Sequence, residues 1–287
     1  MVSVASKVFK MAVPSAAVAA GVLLLSDEER KNSLLRRAYA FTDPHSAKTY
    51  DEHFPRGQWN RNWDFREPES LVNPRKYEKA DEEGRKKLLE ECKGTATRNL
   101  FLIRHGQYHL DRDVRCLTPL GREQAELLGK RLAASEIKFT SMTKSTMVRA
   151  TETANIILSH FPENFPSQAC PMIEEGPPYP PVPENKKWRP LQPEFYSESA
   201  RIEAAFRKYF YRAHPSVKED TYELIVCHAN VIRYFICRAL QFPPEGWLRM
   251  SLGNCSITWV VIRPTGDISV RSVGDIGHLV PHKVSFT

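Results

Sequence analysis

The chain has 287 residues, of which 41% are hydrophobic and 26% charged, with a formal net charge of +7. This composition is typical of a globular protein with one sizeable domain plus extensions. The basic residues are scattered rather than gathered into tracts with interleaved aromatic residues, which argues against a nucleic-acid partner. The six cysteines form no CxxC pair, which argues against a zinc site or a disulfide framework.

The first 26 residues differ from the rest of the chain. Residues 11–25 read MAVPSAAVAAGVLLL, carry no charge, and follow Lys7 and Lys10. Extended back to Val8, this segment approaches the ~20 residues that a helix needs to cross a bilayer. A secretory signal peptide, a mitochondrial targeting segment and a retained single-pass anchor each fit this pattern.

Residues 27–97 are predicted to form a polar stem, because charge is dense there and prolines interrupt any periodicity. Residues 81–92 are its one candidate for a charged helix. The stem also contains Trp59-Asn60-Arg61-Asn62-Trp63-Asp64. Large aromatic side chains normally bury against something. The motif therefore either covers the surface of the chain's own domain or docks onto another subunit.

The folded domain is predicted to span residues 98–287. Its first strand, residues 99–103, is a short apolar run that stops at Arg104-His105-Gly106. Thr118 and Pro119 predict the start of a helix that extends to residue 131. A short strand over 139–142 follows, and then a second helix, capped by Ser145 or Thr146, that extends to residue 158.

The second half of the domain repeats this alternation of strands and helices. The predicted elements are a proline-rich surface loop over 176–193, a helix over 199–212, a buried strand over 221–227, a helix from residue 231 to 240, and strands near 256–262 and 268–273. Alternating strands and helices predict an α/β domain with a mostly parallel central sheet.

Two short polar turns follow two of the predicted strands. Arg104-His105-Gly106 ends the first, and His228-Ala229-Asn230 ends the strand over 221–227. In open α/β sheets, ligands bind at the carboxyl ends of the strands. The sequence therefore predicts that both histidines and at least one arginine face a single pocket.

These side chains suit phosphate chemistry. A guanidinium group offers a planar fork to phosphate oxygens, and the helix after His228 would aim backbone N–H groups at an anion. A neutral histidine can attack phosphorus if a backbone carbonyl holds the proton on its other nitrogen. Gly106 would let the backbone approach closely enough for that contact.

Four motifs together carry a family resemblance. They are Arg104-His105-Gly106 after a strand, Leu117-Thr118-Pro119-Leu120-Gly121, the segment STMVRATET at 145–153, and His228 after a late strand. With these motifs, residues 98–275 resemble the histidine phosphatase (phosphoglycerate mutase-like) superfamily. The resemblance implies a three-layer αβα domain with a mostly parallel central sheet.

The resemblance also implies roles for individual residues. Arg104 and Arg149 match the phosphate-binding arginines, His105 the nucleophile, and His228 the histidine that stabilises the transferring phosphoryl group. Glu175 falls where the family keeps its acid/base, although Glu174 stands beside it. No metal and no cofactor are implied, since the arginines and histidines supply the positive charge.

Further segments resemble a mitochondrial, membrane-anchored branch of this family whose members are serine/threonine-protein phosphatases. These segments are residues 59–64, 66–68, 201–207 and 240–249. The resemblance implies that residues 1–26 target and anchor the protein in a mitochondrial membrane, with the outer membrane favoured over the inner one.

The same resemblance implies a ring-like homo-oligomer. Its assembly motif would use Trp59, Asn62, Trp63 and Asp64. Asn60 stands where the branch has an acid, which leaves the strength of this assembly open.

Three functions are compatible with these residues. The first is a metal-independent phosphatase that removes phosphate from phosphoserine and phosphothreonine in proteins, with phosphohistidine as a further substrate. The second is a sugar-phosphate mutase, but mutases of the family carry Glu/Gln-Ser-x-Trp-Asn after Arg-His-Gly, whereas Gln107 is followed here by Tyr108-His109-Leu110. The third is a mitochondrial scaffold with little catalysis, against which the complete set of matching residues argues.

Overall fold

A six-stranded sheet organises the part of the chain that the computed structural model describes, residues 57–111 and 113–286. Its strands are β1 (Arg98–Arg104), β2 (Ser141–Lys144), β3 (Ser167–Ala169), β4 (Thr221–Cys227), β5 (Ile257–Ile262) and β6 (Ile268–Asp275). They lie in the order β3-β2-β4-β1-β5-β6. The pairs β1–β4, β2–β4 and β2–β3 are parallel, and β1–β5 and β5–β6 are antiparallel. The predicted mostly parallel sheet is confirmed, with an antiparallel edge.

Seven α-helices lie within the described residues, and the last four of them pack on the sheet. They are α1 (Pro68–Leu71), α2 (Pro74–Lys79), α3 (Glu82–Glu91), α4 (Pro119–Ala133), α5 (Val148–Leu158), α6 (Gln192–Tyr209) and α7 (Ala229–Ala239). Short 3₁₀ turns cover Pro171–Ile173, Pro244–Arg249 and Pro281–Lys283. As predicted, Thr118 caps α4: its hydroxyl accepts a hydrogen bond from the Gly121 amide at 3.0 Å.

Alternation along β1 shows how the layers stack. Leu100 and Leu102 are buried in one core with residues of α6 and α7, whereas Phe101 and Ile103 are buried in a second core with residues of α4 and α5. Successive side chains of a strand point to opposite faces of the sheet, so helices cover both faces. This arrangement confirms the predicted three-layer αβα architecture.

Several element boundaries differ from the sequence predictions. Helix α6 covers Gln192–Tyr209 rather than residues 199–212. It begins earlier than predicted because the Glu194 side chain accepts a hydrogen bond from the Leu191 amide at 2.9 Å, which caps the helix at that point. Strand β2 covers residues 141–144 rather than 139–142. Strand β3 and helices α1 and α2 were not predicted, since each is only three to six residues long.

The cap predicted for α5 was also wrong. The helix starts at Val148, after Met147, and neither Ser145 nor Thr146 is its N-cap residue. The Ser145 hydroxyl lies 2.8 Å from a ring nitrogen of His228 instead. Ser145 therefore belongs to the pocket rather than to the helix terminus.

From Asn60 onward the stem lies in the same compact unit as the sheet, since that unit spans Asn60–Thr287. Trp63 packs against Phe206, with ring centroids 6.3 Å apart, and its indole N–H donates to the Gly266 carbonyl at 2.9 Å. The predicted charged helix is present as α3, and the Asp81 side chain caps it. Trp63 thus covers its own domain, the first of the two interpretations of the motif.

The predicted anchor and targeting segment, residues 1–26, lies outside the described residues. Within the described ranges, none of the helices combines the length and the apolar character needed to cross a membrane.

Candidate active site

The two polar turns meet as the sequence predicted, because β1 and β4 are parallel neighbours whose carboxyl ends lie at the same edge of the sheet. The rings of His105 and His228 have centroids 5.1 Å apart. Arg149 reaches the same point from the first turn of α5, and Arg104 lies at the end of β1. All four side chains are buried, with relative exposures of 0–6%.

The hydrogen bonds of His105 define its tautomer. Its Nδ1 atom lies 2.8 Å from the Gly106 carbonyl oxygen, which can only accept a hydrogen bond. Its Nε2 atom accepts a hydrogen bond from Nε of Arg149 at 3.2 Å. The proton of neutral His105 therefore lies on Nδ1, and a lone pair on Nε2 faces the pocket.

The surroundings of His105 favour this neutral form. Burial lowers the pKa of His105 well below its usual value of 6.5, and the charges of Arg104 and Arg149 lower it further. Burial also lowers the pKa of Arg104 to about 10, which leaves this guanidinium group protonated at neutral pH. The pocket thus combines a neutral imidazole with buried cations.

Close backbone packing holds the His105 turn in place. A Cβ atom on Gly106 would lie 2.5 Å from the Gly121 carbonyl oxygen, and one on Gly121 would lie 1.9 Å from the Gln107 carbonyl oxygen. Glycine is therefore required at both positions, where the turn meets the first turn of α4. The Gly106 amide donates to the Thr153 hydroxyl at 3.0 Å, which links the turn to α5.

His228 offers a nitrogen to the pocket. Its Nε2 atom lies 2.8 Å from the Ser145 hydroxyl, whereas its buried Nδ1 atom has no hydrogen-bond partner among the described residues. Nδ1 is therefore the ring nitrogen of His228 that is left for a ligand. Burial lowers the pKa of His228, and the neighbouring His105 lowers it further. A buried polar atom without a partner costs stability, and a phosphoryl group would supply a partner for Nδ1.

The structure separates the two candidate carboxylates. Oε2 of Glu175 lies 4.0 Å from Nδ1 of His228, and Oε1 accepts a hydrogen bond from the Asn230 amide at 3.2 Å. The side chain of Glu174 bonds to the Thr146 hydroxyl instead. Glu175 is therefore the carboxylate that faces the histidines.

The Glu175 contact also changes the expectation for helix α7. The sequence suggested that the N–H groups at the start of this helix bind an anionic ligand, but the Asn230 amide bonds to Glu175. Burial raises the pKa of Glu175, while Arg149 and Arg104 act in the opposite direction. With 27% of its side chain exposed, Glu175 can exchange protons with entering water.

Sequence reasoning missed the arginine that holds the Glu175 loop. The guanidinium of Arg201, on α6, donates to the backbone carbonyls of Met172 at 2.8 Å, Glu174 at 2.9 Å and Glu175 at 3.3 Å. An arginine with several backbone acceptors fixes a loop more rigidly than one hydrogen bond does. Arg201 begins the segment 201–207 that carried part of the family resemblance, but no role was assigned to it, because an arginine on an amphipathic helix is usually a surface residue.

Other residues of the site also escaped prediction. Tyr108 packs on both His105 and Arg149, Ser145 bonds to His228, and Thr153 bonds to the Gly106 amide. Tyr108 and Thr153 stand within or beside the quoted motifs, so proximity to a motif was the available signal.

The site suits an anion better than a metal ion. Ligand atoms of His105, Glu175 and His228 lie within 4.8 Å of one another, which is close enough for a shared cation. However, Nε2 of His105 already accepts a hydrogen bond from Arg149, and the charge of Arg104 also acts on the ring. Two guanidinium groups at this point repel a cation and attract phosphate.

A cleft of about 400 Å³ adjoins the pocket. Glu175 and Asn230 line it on the side of the histidines, and Trp188, Pro190 and Arg201 line it farther out. It gives a substrate larger than a small phosphate ester room to extend from the buried site.

These features are those of a histidine phosphatase, and the chain belongs to the histidine phosphatase superfamily (branch 1), whose family model matches residues 100–176 and 180–275. It is similar to the serine/threonine-protein phosphatase Pgam5, mitochondrial, of Caenorhabditis elegans, with 71% identity over 282 residues that cover 98% of this chain and 99% of the relative. The human serine/threonine-protein phosphatase PGAM5, mitochondrial, is 51% identical over 234 residues, 80% of each chain.

The fold also resembles solved structures. YhfR from Bacillus stearothermophilus superposes with a TM-score of 0.50 at 20% identity, over 63% of this chain and 98% of that one. At this identity the likeness concerns the fold alone. The predicted phosphoglycerate mutase-like α/β fold is confirmed.

Proposed function

We propose that this chain is a metal-independent protein phosphatase that hydrolyses phosphoserine and phosphothreonine through a phosphohistidine on His105. The observation that carries the proposal is the lone pair on Nε2 of His105, which faces a buried pocket beside Arg149 and His228. Nucleophile, cations and a carboxyl group are all present within a few ångströms.

In the first step, Nε2 of His105 attacks the phosphorus atom and the bond from phosphorus to the serine or threonine oxygen breaks. Glu175 donates its proton to the leaving alkoxide. The phosphoryl oxygens lie between Arg104, Arg149 and Nδ1 of His228, where charge develops as the group transfers. The proton stays on Nδ1 of His105, which donates it to the Gly106 carbonyl in a hydrogen bond, so the phosphorylated ring carries a positive charge that favours the later release of the phosphoryl group.

In the second step, water attacks the phosphorus atom and the bond to Nε2 breaks. Glu175, now ionised, accepts a proton from that water, which restores its starting state and releases inorganic phosphate. A raised pKa suits a group that must both donate and accept a proton near neutral pH.

Protein substrates are favoured over small sugar phosphates by two observations. The similar proteins of C. elegans and human are named serine/threonine-protein phosphatases. The cleft of about 400 Å³ beside Glu175 accommodates residues on one side of a phosphorylated side chain. Phosphohistidine is included as a further substrate, because it carries the same phosphoryl group as the intermediate.

The test measures phosphate release from a phosphothreonine peptide by the full chain, in the presence of EDTA, beside a His105→Ala control. Release that disappears in the variant supports the proposal. Release that persists in the variant contradicts the role of His105, and release that requires added metal contradicts the metal-independent step. Isomerisation of 3-phosphoglycerate without peptide hydrolysis would identify a mutase. No reaction with the peptide or with 3-phosphoglycerate would favour the scaffold function instead.

We infer a mitochondrial location from the names of the similar proteins and from the apolar, acid-free segment at 11–25.

We propose that residues 1–26 anchor the chain in a mitochondrial membrane, with the outer membrane favoured. Alkaline carbonate extraction of isolated mitochondria tests the anchor, because it leaves integral proteins in the pellet. Protease digestion of intact mitochondria then distinguishes the outer membrane from the inner one.

We also propose that residues 59–64 support a homo-oligomer. Because Trp63 packs on its own chain, Trp59 is the tryptophan of this motif that would contact another copy. The side chain of Trp59 is 38% exposed and so offers apolar surface to another copy. Sedimentation of the full chain beside Trp59→Ala tests the proposal. A smaller particle for the variant supports it, and an unchanged particle contradicts it.

A further inference from the structure

Tyr108 is the one aromatic side chain that contacts both His105 and Arg149 among the described residues. Its ring meets the His105 ring edge-on, with centroids 5.1 Å apart and an interplanar angle of 80°. The guanidinium carbon of Arg149 lies 4.7 Å from the centroid of the same ring. Backbone bridging to Leu117 fixes the position of Tyr108.

The other contacts of Arg149 make this ring important. Nε of Arg149 donates to Nε2 of His105 at 3.2 Å, and Nη2 lies 3.4 Å from the Met147 sulfur, which is a weak acceptor. The bond to His105 occupies the lone pair that must attack phosphorus. Arg149 must therefore turn from this nitrogen to the phosphoryl oxygens when substrate enters.

We propose that Tyr108 is a positioning residue that supports the guanidinium of Arg149 in both states. The ring face attracts the cation without competing for its N–H donors, so the contact survives when Arg149 exchanges His105 for phosphate. The inference rests on the proposed phosphate site. It adds that the Tyr108 ring keeps the Arg149 guanidinium close to the phosphoryl oxygens. Tyr108 acts through Arg149 and takes no part in bond making.

The expected effect falls on phosphate binding. Replacing Tyr108 by leucine removes the ring, and the inhibition constant of inorganic phosphate should rise by about 2- to 30-fold, the range of a cation–π contact. KM for the phosphothreonine peptide should rise in parallel, with kcat changed by less than about twofold, since the lost interaction holds both the bound substrate and the transition state. Tyr108→Phe keeps the ring and should restore both constants.

Tyr211 provides a matched control. The guanidinium carbons of Arg98 and Arg66 lie 3.8 Å and 4.4 Å from the centroid of its ring, so Tyr211 makes the same kind of cation–π contact as Tyr108. Arg98 begins β1 and Arg104 ends it, which separates the two sites by about 20 Å at 3.3 Å per strand residue. Tyr211→Leu should lower the melting temperature and leave the inhibition constant of phosphate unchanged.

A series of phenylalanines with increasing numbers of fluorine atoms at position 108 tests the cation–π contact without disturbing the packing of the ring. Each fluorine weakens the attraction of the ring for a cation and hardly changes its shape, so phosphate affinity should fall stepwise. Affinity that does not follow fluorination, a Phe variant as weak as the Leu variant, or a loss of kcat with an unchanged inhibition constant would each overturn the inference. Failure of the wild-type chain to bind phosphate would instead overturn the proposed function.

Discussion

Two buried arginines of this molecule are held in opposite ways. Arg212 lies against the Asp64 carboxylate, with Nη2 to Oδ1 at 2.5 Å and the backbone amide to Oδ2 at 2.7 Å, and both side chains are at most 5% exposed. Arg149 is equally buried, yet the groups in direct contact with it are an imidazole, a thioether and an aromatic ring, all neutral, and the Glu175 carboxylate acts on its charge only from a distance. Among the described residues, no carboxylate lies within 4.0 Å of it.

We interpret this difference as that between a structural cation, Arg212, and the proposed ligand-binding cation, Arg149. A buried charge with an ionised partner is satisfied by the fold itself. Burying a charge that contacts only neutral groups costs free energy on folding. An anion that binds beside such a charge supplies the missing counter-charge, so the burial that opposes folding also favours binding of the anion.

Arg149→Met should produce the largest loss of activity. In the proposed mechanism its guanidinium lies where charge develops on the phosphoryl group, and arginines in this role accelerate transfer by about 10³–10⁵-fold. Stability should stay the same or rise, because the variant removes a buried charge that lacks an ionised partner. Steady-state kinetics and thermal unfolding of the same preparation check both parts, and a variant that is less stable yet active would contradict the contrast.

Glu175→Gln should lower kcat by about 10²–10⁴-fold, since an amide of similar size can neither donate nor accept the required proton. Glu174→Gln is the matched control, because Glu174 bonds to Thr146 rather than facing the histidines. Its kcat should stay within about threefold of the wild type. Equal losses in both variants would remove the distinction between the two carboxylates.

Arg212→Met should lower stability and leave kcat unchanged, whereas Arg149→Met should lower activity and leave stability unchanged or higher. It leaves the Asp64 carboxylate buried without its cation, which destabilises a protein by about 3–5 kcal/mol. The folded fraction should keep its kcat. The double variant Asp64→Leu/Arg212→Met should recover part of the loss, as chemical denaturation can show, and a double variant less stable than the single one would argue against the ion pair as the cause.

The smallest predicted effect concerns protonation. Because the pKa of His105 is lowered, its ring should stay neutral as pH falls through 6.5, where an ordinary histidine takes up a proton. Protons then bind preferentially to the unfolded state, so the contribution of His105 to stability decreases as pH falls below 6.5. NMR titration of the imidazole resonances, assigned with His105→Gln, tests this, and a midpoint near 6.5 for His105 would contradict it.

The sequence predicted the elements that local patterns determine. Strand β4 was predicted to the residue, and Thr118-Pro119 marked the start of α4, because apolar runs and helix caps are local signals. The meeting of the His105 and His228 turns was also predictable, since parallel neighbours share an edge.

Contacts between distant segments could not be predicted in the same way. Arg201 and Glu175 are brought together only by the packing of α6, and the Ser145 hydroxyl turns toward His228 rather than toward its own helix. The short β3 carries too few residues for periodicity to indicate it. Proximity to the Arg104-His105-Gly106 motif placed Tyr108 near the site, but its contacts with His105 and Arg149 could be recognised only from the structure.

The central claim is that phosphate passes through His105, and trapping the intermediate tests it most directly. The full chain is mixed with a ³²P-phosphothreonine peptide, quenched in alkali within milliseconds, and mapped by mass spectrometry. The account predicts a label on His105 that is stable in alkali, lost in acid, and absent from His105→Ala. Rapid phosphate release without any labelled histidine, or a label on another residue, would contradict it.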